Sequence, residues 1–293
     1  MNTPAPIAAV TGASGYLGSR ICTSLQSRGW QVVRLARVPS SRRFPAVAYE
    51  LAGPISPEVK EVLRSADVLV HGAYDLSLTS RVDIWRVNVE GTRRLLEVAA
   101  DARMRRVLVL SSMSAFDGTT QLYGRAKLAI ESLTVASGAC AVRPGLVYGE
   151  RPGGMAGALR KLTKLPIVPV IAGGTGLYTV HEDDLMRAIG ALAGFETLQP
   201  QTISVAHPIP IALPDMMRVF AAQEDRRCRL VPVPWQSVYY PLRFTEVLRA
   251  HLPFRADSVL GLVRTAPCVG NDGPLTQLGV TPRAFHVDAS DRA

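Results

Sequence analysis

The strongest constraint on the fold of this chain is a set of three glycines near its start. Residues 11–18 read TGASGYLG, after an apolar run at residues 7–10 and before an amphipathic stretch. This order predicts a buried strand, a glycine turn and a helix. Gly12 permits a tight turn, Gly15 lets the backbone approach an anion, and Gly18 lets the helix pack close to the strand. The helix would then offer N–H groups to a phosphate, although an ordinary strand-to-helix turn explains the same glycines.

Length and composition bound the class of protein. The 293 residues suffice for one large domain with a smaller appendage, and 47% hydrophobic with 19% charged residues is typical of a globular protein. The sequence contains no apolar run of about 18 residues and no basic segment leading into an apolar one at its start. We therefore expect no membrane span, no signal peptide and a cytoplasmic location. The four cysteines lack metal-ligand spacing, so we expect reduced packing residues and no metal site.

The net charge of +9 raises the question of nucleic acid. The arginines are spread along the chain, and the basic clusters at residues 103–106 and 226–227 are short and lack interleaved aromatic residues. We predict no nucleic-acid partner, because a basic surface that attracts small anionic molecules explains the charge as well.

A basic residue follows the second predicted strand, which spans residues 31–36. In a dinucleotide-binding fold this position meets the adenosine ribose, where an acidic residue would bind the 2′-hydroxyl of NAD. Arg37, with Arg42 and Arg43 close behind it, instead suits the 2′-phosphate of NADP. We predict NADP and keep NAD as the alternative, since Arg37 also fits a solvated loop.

Residues 66–71 predict another buried strand, which runs into small residues that include Ala73. Small residues at a strand's C-terminal end leave room for a ligand. We interpret His71, at the end of this strand, as a packed residue rather than a base. The next segment, residues 82–100, predicts a long helix in which Asn88 would need a hydrogen-bonding partner on a buried face.

A serine, a tyrosine and a lysine follow the buried strand predicted at residues 107–110. Ser112 comes at its end, and eleven residues later Tyr123 precedes Lys127 by four positions, on one helical face. A phenol with a reference pKa of about 10 is a poor acid at neutral pH, but a nearby ammonium favours its phenolate. We predict that Lys127 tunes Tyr123 and that Ser112 hydrogen-bonds the same substrate oxygen.

Taken together, these motifs resemble the extended short-chain dehydrogenase/reductases, the NAD(P)-dependent epimerase/dehydratase family. The matching segments stand in the family's order and cover about the first two thirds of the chain, at residues 11–18, 66–74, 88–99, 111–116, 123–127, 142–149 and 180–185. The resemblance implies an α/β fold, a Rossmann-type doubly wound parallel sheet with a small C-terminal substrate domain.

The division implied by this resemblance gives an NAD(P)-binding domain at residues 1–150, to which residues 173–194 return. Residues 151–172 and 195–293 would form the small domain. Its aromatic stretch from Trp235 to Phe244 is interpreted as core packing, with an apolar substrate wall as the alternative. We expect a loose tail after Pro282.

The resemblance also implies roles for single residues. Ser112, Tyr123 and Lys127 would be the catalytic set, with Lys127 also holding the nicotinamide ribose. Met113 stands at the family's usual hydroxyl position, so Ser112 or Ser114 would have to replace it. The residues expected to contact NADP, or alternatively NAD, are Gly12, Ser14, Gly15, Tyr16, Leu17, Gly18, Arg37, Ala73, Asn88, Tyr123, Lys127, Pro144 and Val147.

Some positions differ from the family's usual residues, and these differences reduce the number of reactions that we expect. The Thr-Asp-Glu of its nucleotide-sugar dehydratases is missing at residues 112–115, which argues against dehydration. Leu177 stands where sugar-nucleotide enzymes tend to place an arginine for the diphosphate. The basic residues that could replace that arginine are Arg160, Lys161, Lys164 and Arg243.

Three functions remain after these departures. We predict an NADP-dependent carbonyl reductase or alcohol dehydrogenase acting on a small molecule. The alternatives are an NAD(P)-dependent sugar epimerase and a non-catalytic NADP(H) sensor, and the pair of Tyr123 and Lys127 argues against the sensor. The expected partners are the small-molecule substrate and, as an option, a second copy of the chain in a homodimer.

Overall fold

The protein is built on a central sheet of parallel strands with helices on both faces. The computed structural model describes residues 4–38, 44–150, 152–174, 176–195, 199–247 and 255–286. In chain order the elements are β1 (Ile7–Thr11), α1 (Tyr16–Ser27), β2 (Gln31–Ala36), β3 (Ala46–Ala48), α2 (Pro57–Ser65), β4 (Val68–His71), α3 (Arg81–Ile84), a π-helical turn (Trp85–Val89), α4 (Glu90–Asp101), β5 (Val107–Leu110), α5 (Leu122–Ala136), β6 (Cys140–Pro144), β7 (Leu146–Tyr148), α6 (Gly154–Leu162), β8 (Ile167–Ile171), β9 (Thr179–His181), α7 (Glu182–Gly194), β10 (Gln201–Val205), α8 (Leu213–Gln223), β11 (Arg229–Val233), α9 (Trp235–Val247), α10 (Ala256–Val263) and α11 (Gly273–Gln277).

The order of the central strands confirms the predicted doubly wound sheet. Seven parallel strands stand in the order β10-β6-β5-β4-β1-β2-β3. The order reverses between β1 and β4, and ligands of such sheets bind outside the carboxyl ends of the strands at this point. Helices cover both faces, so the central strands read as continuous apolar runs, and all four residues of β4 are buried.

A second hydrophobic cluster lies outside the central sheet. It joins α6, α8 and α10 to a two-stranded parallel sheet of β8 and β11, and its buried members include Leu159, Val168, Phe220 and Leu262. This separate core lies in the part of the chain for which we predict a small substrate domain. The division into domains stays a prediction.

Strand β10, which falls in the range predicted for the small domain, belongs to the central sheet. Gln201 pairs with Cys140 and Val205 with Pro144, so β10 covers the open edge of β6. Leu275 of α11 is also buried in the main core. A five-residue strand carries no signal of which sheet it joins, so the sequence could not assign it.

The aromatic stretch divides between core and surface. Trp235 and Tyr239 pack against the second cluster, with ring centroids 5.6 Å apart. Tyr240 and Phe244 are each 64% exposed. The core interpretation therefore holds for the first pair, and the alternative of a substrate wall stays untested.

The four cysteines are free thiols. Cys22 and Cys140 are buried in the main core, whereas Cys268 is exposed. Within the described part of the chain, we find no helix with the length and apolar character that crossing a bilayer requires.

The expectation of a loose tail is wrong for residues 283–286. The backbone N–H of Arg283 donates to the Asp184 carboxylate at 2.8 Å, and the guanidinium binds the same carboxylate. Phe285 packs on Tyr148, with ring centroids 4.6 Å apart. Burial by itself raises the pKa of Asp184, but the hydrogen bonds from Arg283 and Arg187 outweigh burial and hold the pKa below its usual range. A fully buried carboxylate in α7 thus fastens the end of the described chain.

We predict that Arg283→Ala lowers the free energy of unfolding by about 2 kcal/mol, because Asp184 loses two guanidinium donors in a buried setting and keeps, at position 283, only the backbone N–H. The matched control is Arg218→Ala, which breaks an exposed pair with Asp215 and should change stability by no more than about 0.5 kcal/mol. Urea unfolding of both variants measures the difference. Equal effects would contradict the anchoring role.

Candidate active site

The glycine turn has the geometry of an anion cradle. Gly12 adopts a φ of +66°, and a Cβ there would lie 2.7 Å from the backbone nitrogen of Ala73. A Cβ on Gly18 would lie 2.1 Å from the carbonyl oxygen of Gly12. On Gly15, by contrast, it would meet only that carbonyl oxygen, at 3.2 Å, among the described atoms. Two glycines therefore serve close packing, whereas Gly15 faces space that a ligand can use.

The first turn of α1 leaves its N–H groups unused within the helix. Gly15 is the N-cap and has no side chain to accept from them, and the first intrahelical bond runs from Ser19 to Gly15 at 3.0 Å. The N–H groups of Tyr16, Leu17 and Gly18 precede that bond, as at any helix start. With exposed Ser14 beside them, these groups fit the diphosphate of a dinucleotide.

The side chain of Tyr16 turns away from the cradle and locks α1 to α7. Its hydroxyl donates to Glu182 at 2.8 Å, and Arg20 binds the same carboxylate at 2.5 Å. Gly153 lies against the Tyr16 ring, so that a Cβ there would be 2.5 Å from a ring carbon. Only the backbone of Tyr16 is therefore available to a ligand in the cradle.

A buried, uncharged histidine connects the ends of β1 and β4. The Thr92 hydroxyl donates to the Asn88 carbonyl at 2.7 Å, so it accepts from Nε2–H of His71 at 3.0 Å. Nδ1 of His71 then accepts from the Thr11 hydroxyl at 2.6 Å. Burial lowers the pKa of His71 to about 3, and the charge of Lys127 adds to the effect. The interpretation of His71 as a packed residue agrees with these contacts.

Asn88 finds its partner in the loop after β4. It lies in the π-helical turn, where its side-chain oxygen accepts from the Asp75 N–H at 2.7 Å and its amide donates to the Asp75 carbonyl at 3.3 Å. Single π-helical turns are frequent at functional sites. Asn88 therefore shapes the loop that begins with Ala73, and its contact with a cofactor stays a prediction.

Tyr123 and Lys127 meet at the carboxyl end of the central sheet. Lys127 Nζ donates to the Leu110 carbonyl at 2.7 Å and lies 6.0 Å from the centre of the Tyr123 ring. It also lies 4.5 Å from the ring centre of Tyr74, which contacts Tyr123 edge-on at 5.2 Å. Burial lowers the pKa of Lys127 to about 8, while Glu131 opposes this effect. A buried ammonium thus lies near a partly buried phenol.

Ser112, rather than Ser114, affects the pKa of the Tyr123 phenol. Burial raises the pKa of Tyr123, and the Ser112 hydroxyl acts on it in the opposite sense through a hydrogen-bonding interaction. Ser112 also accepts from the Ser114 N–H at 3.1 Å. Met113, at the position where the resemblance implies a hydroxyl, is buried in an apolar cluster with Tyr178. These contacts favour Ser112 as the third member of the set.

Pro144 is the last residue of β6, and Val147 lies in β7, which follows it. The Met113 N–H donates to the Pro144 carbonyl at 3.0 Å, which brings the end of β6 beside the serine loop. Val147 pairs with Val180 in the short parallel sheet of β7 and β9. Their contact with a nicotinamide stays a prediction.

The arginine predicted to contact the 2′-phosphate of NADP follows the end of β2. Arg37 is exposed there, whereas Arg42 and Arg43 lie outside the described residues. Sequence reasoning missed Arg34, whose guanidinium donates to the Ala13 carbonyl at 2.9 Å and braces the glycine turn from below. An arginine inside a predicted strand gives no local sign of this role.

Most of the chain matches the model of one known protein family. The model of the NAD dependent epimerase/dehydratase family matches residues 8–205. The chain belongs to this family. It is accordingly an NAD(P)-dependent oxidoreductase or epimerase, as the resemblance implied.

Two relatives of this epimerase/dehydratase family member are named as reductases. The chain is 25% identical over 236 residues to a protein of Caulobacter vibrioides named ceramide reductase, covering 78% of this chain and 74% of that protein. It is 35% identical over 111 residues to a 4-hydroxy-2-methyl-3-oxo-4-farnesyl-3,4-dihydroquinoline-1-oxide ketoreductase of Stigmatella aurantiaca, covering 35% of this chain and 32% of that protein.

A solved structure supports the fold of this family member. MoeE5 in complex with UDP-glucuronic acid and NAD matches with a TM-score of 0.72, over 95% of this chain and 94% of that chain. Its sequence identity is 22%, so the likeness concerns the fold.

We predict that the protonated Lys127 destabilises the cofactor-free chain at neutral pH. Its folded pKa of about 8 lies below the ordinary value of 10.5, so the unfolded chain binds more protons in this range. The stability of the wild type relative to Lys127→Met should therefore rise between pH 8 and 10.5, by about 3 kcal/mol. Denaturant unfolding at several pH values measures this, and a constant difference would contradict it.

Proposed function

We propose that this chain is an NADP-dependent carbonyl reductase or alcohol dehydrogenase with Ser112, Tyr123 and Lys127 as its catalytic set. The observation that carries the proposal is the proximity of a buried Lys127 ammonium to the partly buried Tyr123 and Ser112 at the carboxyl end of the central sheet. Burying the Lys127 ammonium is costly, and its place near the Tyr123 phenol gives it a chemical use besides its bond to the Leu110 carbonyl. The arrangement is suited to proton transfer.

The cofactor site fits a dinucleotide. The open face of Gly15 and the first-turn N–H groups of α1 would hold the diphosphate, and Lys127 would hold the nicotinamide ribose. When bound, the nicotinamide supplies or accepts the hydride. Arg37, exposed at the end of β2, supports NADP over NAD because its guanidinium can pair with a 2′-phosphate.

In the reducing direction, the Tyr123 hydroxyl donates its proton to the substrate's carbonyl oxygen. Ser112 donates a hydrogen bond to the same oxygen, which stabilises the negative charge that develops there. The phenolate left on Tyr123 is stabilised by the Lys127 ammonium, and a proton from solvent restores the phenol. The oxidising direction uses the same groups in reverse.

Two of the four basic residues that could hold a sugar-nucleotide diphosphate are engaged in ion pairs, which favours a substrate without one. Leu177 is buried and pairs with Ile211, so it offers nothing to a diphosphate. Arg160 is engaged with Glu224, and Arg243 with Glu246. The names of the two sequence relatives, a ceramide reductase and a ketoreductase, are in keeping with reduction of a carbonyl on a less polar substrate.

Consumption of external cofactor separates this proposal from the epimerase alternative. A reductase oxidises one NADPH for each molecule of ketone reduced, which is followed by the loss of absorbance of the reduced nicotinamide. An epimerase retains its cofactor and shows no net oxidation. Mass spectrometry of small molecules that co-purify with the chain gives the cofactor and a first indication of the substrate.

We predict that Tyr123→Phe lowers kcat by about 100-fold or more, because the substrate loses its proton donor. Cofactor affinity should stay within about twofold, since the phenol hydroxyl is not part of the phosphate cradle. Tyr49→Phe is the matched control: Tyr49 is also buried, but it lies in a different cluster, and its loss should leave kcat unchanged. A Tyr123→Phe enzyme with near-normal turnover would rule out the proposed set.

We predict that Arg37→Asp weakens NADPH binding by about tenfold or more and NADH binding far less, because only NADPH carries the 2′-phosphate. Arg64→Asp makes the same charge change on an exposed face of α2 and controls for net charge. Fluorescence titration with both cofactors measures the affinities. Equal losses for NADPH and NADH would remove the case for NADP.

A further inference from the structure

The catalytic helix α5 receives its N-terminal cap from a distant part of the chain. Its own N-cap residue, Gln121, makes no capping hydrogen bond. Instead the two carboxylate oxygens of Asp257, in the first turn of α10, accept from the N–H of Leu122 at 2.8 Å and of Tyr123 at 2.9 Å. A carboxylate at this place satisfies two unpaired donors and complements the positive end of the helix dipole.

Helix α10 is fastened at both ends to loops that border the site. Arg255, just before it, donates to the Leu76 carbonyl at 2.6 Å in the loop after β4. Arg264, just after it, donates to the Thr120 hydroxyl at 3.2 Å in the loop before α5. Between them, Gly261 lies against the Gln121 carboxamide, whose oxygen would be 2.8 Å from an added Cβ. The placement of Asp257 is therefore set by contacts on either side.

Tyr123 is held at its backbone and at its ring. Its backbone N–H donates to Asp257 at 2.9 Å, and Ser112 lowers the pKa of its hydroxyl. Its ring meets Tyr74 edge-on. Burial is the main cause of the raised pKa of Tyr74, and the charge of Asp257 adds to it, so the carboxylate also acts on the second aromatic wall of the site.

We propose that Asp257 is a positioning residue, which fixes the first turn of α5 and thereby aims the Tyr123 hydroxyl at the substrate oxygen beside Ser112. The inference rests on the proposed role of Tyr123 as proton donor. Small displacements of a catalytic group cost rate steeply, so a cap on the residue that carries the phenol affects turnover more than binding. Asp257 also links the second hydrophobic cluster, which α10 helps to build, to the catalytic helix.

A graded pair of variants tests this role in the full chain. Asp257→Asn keeps one acceptor oxygen and Asp257→Ala keeps none, so kcat should fall by about threefold and about tenfold or more, in that order, while KM for the cofactor stays within about twofold. The matched control is Asp67→Asn. Asp67 also binds a backbone N–H from a remote strand, that of Ile7 at 2.7 Å, but at the opposite end of the sheet. This control should keep wild-type kcat.

Amide hydrogen exchange provides a second readout that needs no turnover. Deuterium uptake of peptides covering residues 119–128 should rise in Asp257→Ala and stay at the wild-type level in Asp67→Asn. Faster exchange with unchanged kcat would overturn the positioning role, since the contact would then be only structural, and unchanged exchange would overturn the contact itself. A parallel fall of kcat and rise of KM would also overturn it.

The proposed function can fail separately from this inference. If the wild type oxidises no NADPH with any ketone, or if Tyr123→Phe keeps full turnover, the reductase proposal falls. Amide exchange over residues 119–128 is then measured without NADPH and with NADPH at saturation. If uptake differs between wild type and Asp257→Ala under both conditions, the carboxylate is retained as the group that orders Tyr123. Uptake that NADPH makes equal in the two proteins overturns it.

Discussion

Strands β1 and β4 end side by side at the same edge of the central sheet, and the rest of the structure depends on this alignment. Thr11 and His71 face each other in register, and the hydroxyl of Thr11 accepts from the N–H groups of Gly72 and Ala73 while it donates to His71. The glycine turn and the loop after β4 therefore leave the sheet together. A Cβ at Gly12 would collide with this second loop, which explains why a glycine follows β1.

The positions of Lys127 and Tyr123, which we propose as catalytic groups, follow from that edge. Strand β5 stands beside β4 and ends at Leu110, whose carbonyl binds the Lys127 ammonium. The same bond ties α5 to the sheet, so Tyr123 comes to lie over the strand ends rather than over a face of the sheet. Parallel strands deliver their loops to one edge, and the chemistry is assembled there from segments that are far apart in sequence.

Local spacing explains what the sequence could predict. The three glycines and the four-residue step from Tyr123 to Lys127 each describe a single turn or one helical face, so their geometry follows from residue order alone. Contacts between remote segments carry no such pattern. Arg34 under the glycine turn, Arg283 on Asp184 and the place of β10 in the central sheet were therefore missed. The sequence also leaves Ser112 and Ser114 open as alternatives, because a loop has no period that would say which hydroxyl faces the phenol.

The cap that Asp257 places on α5 has a consequence for the way the protein is made. Asp257 is 135 residues from Leu122 and 134 residues from Tyr123 along the chain. A growing chain leaves the ribosome with its N-terminus first. The sheet strands β1 to β6 can form while the rest of the chain is still being synthesised, but α5 lacks its carboxylate until residue 257 has left the ribosome. The residue that we propose as proton donor is thus secured well after the glycine turn, from which it is more than one hundred residues distant, has been synthesised.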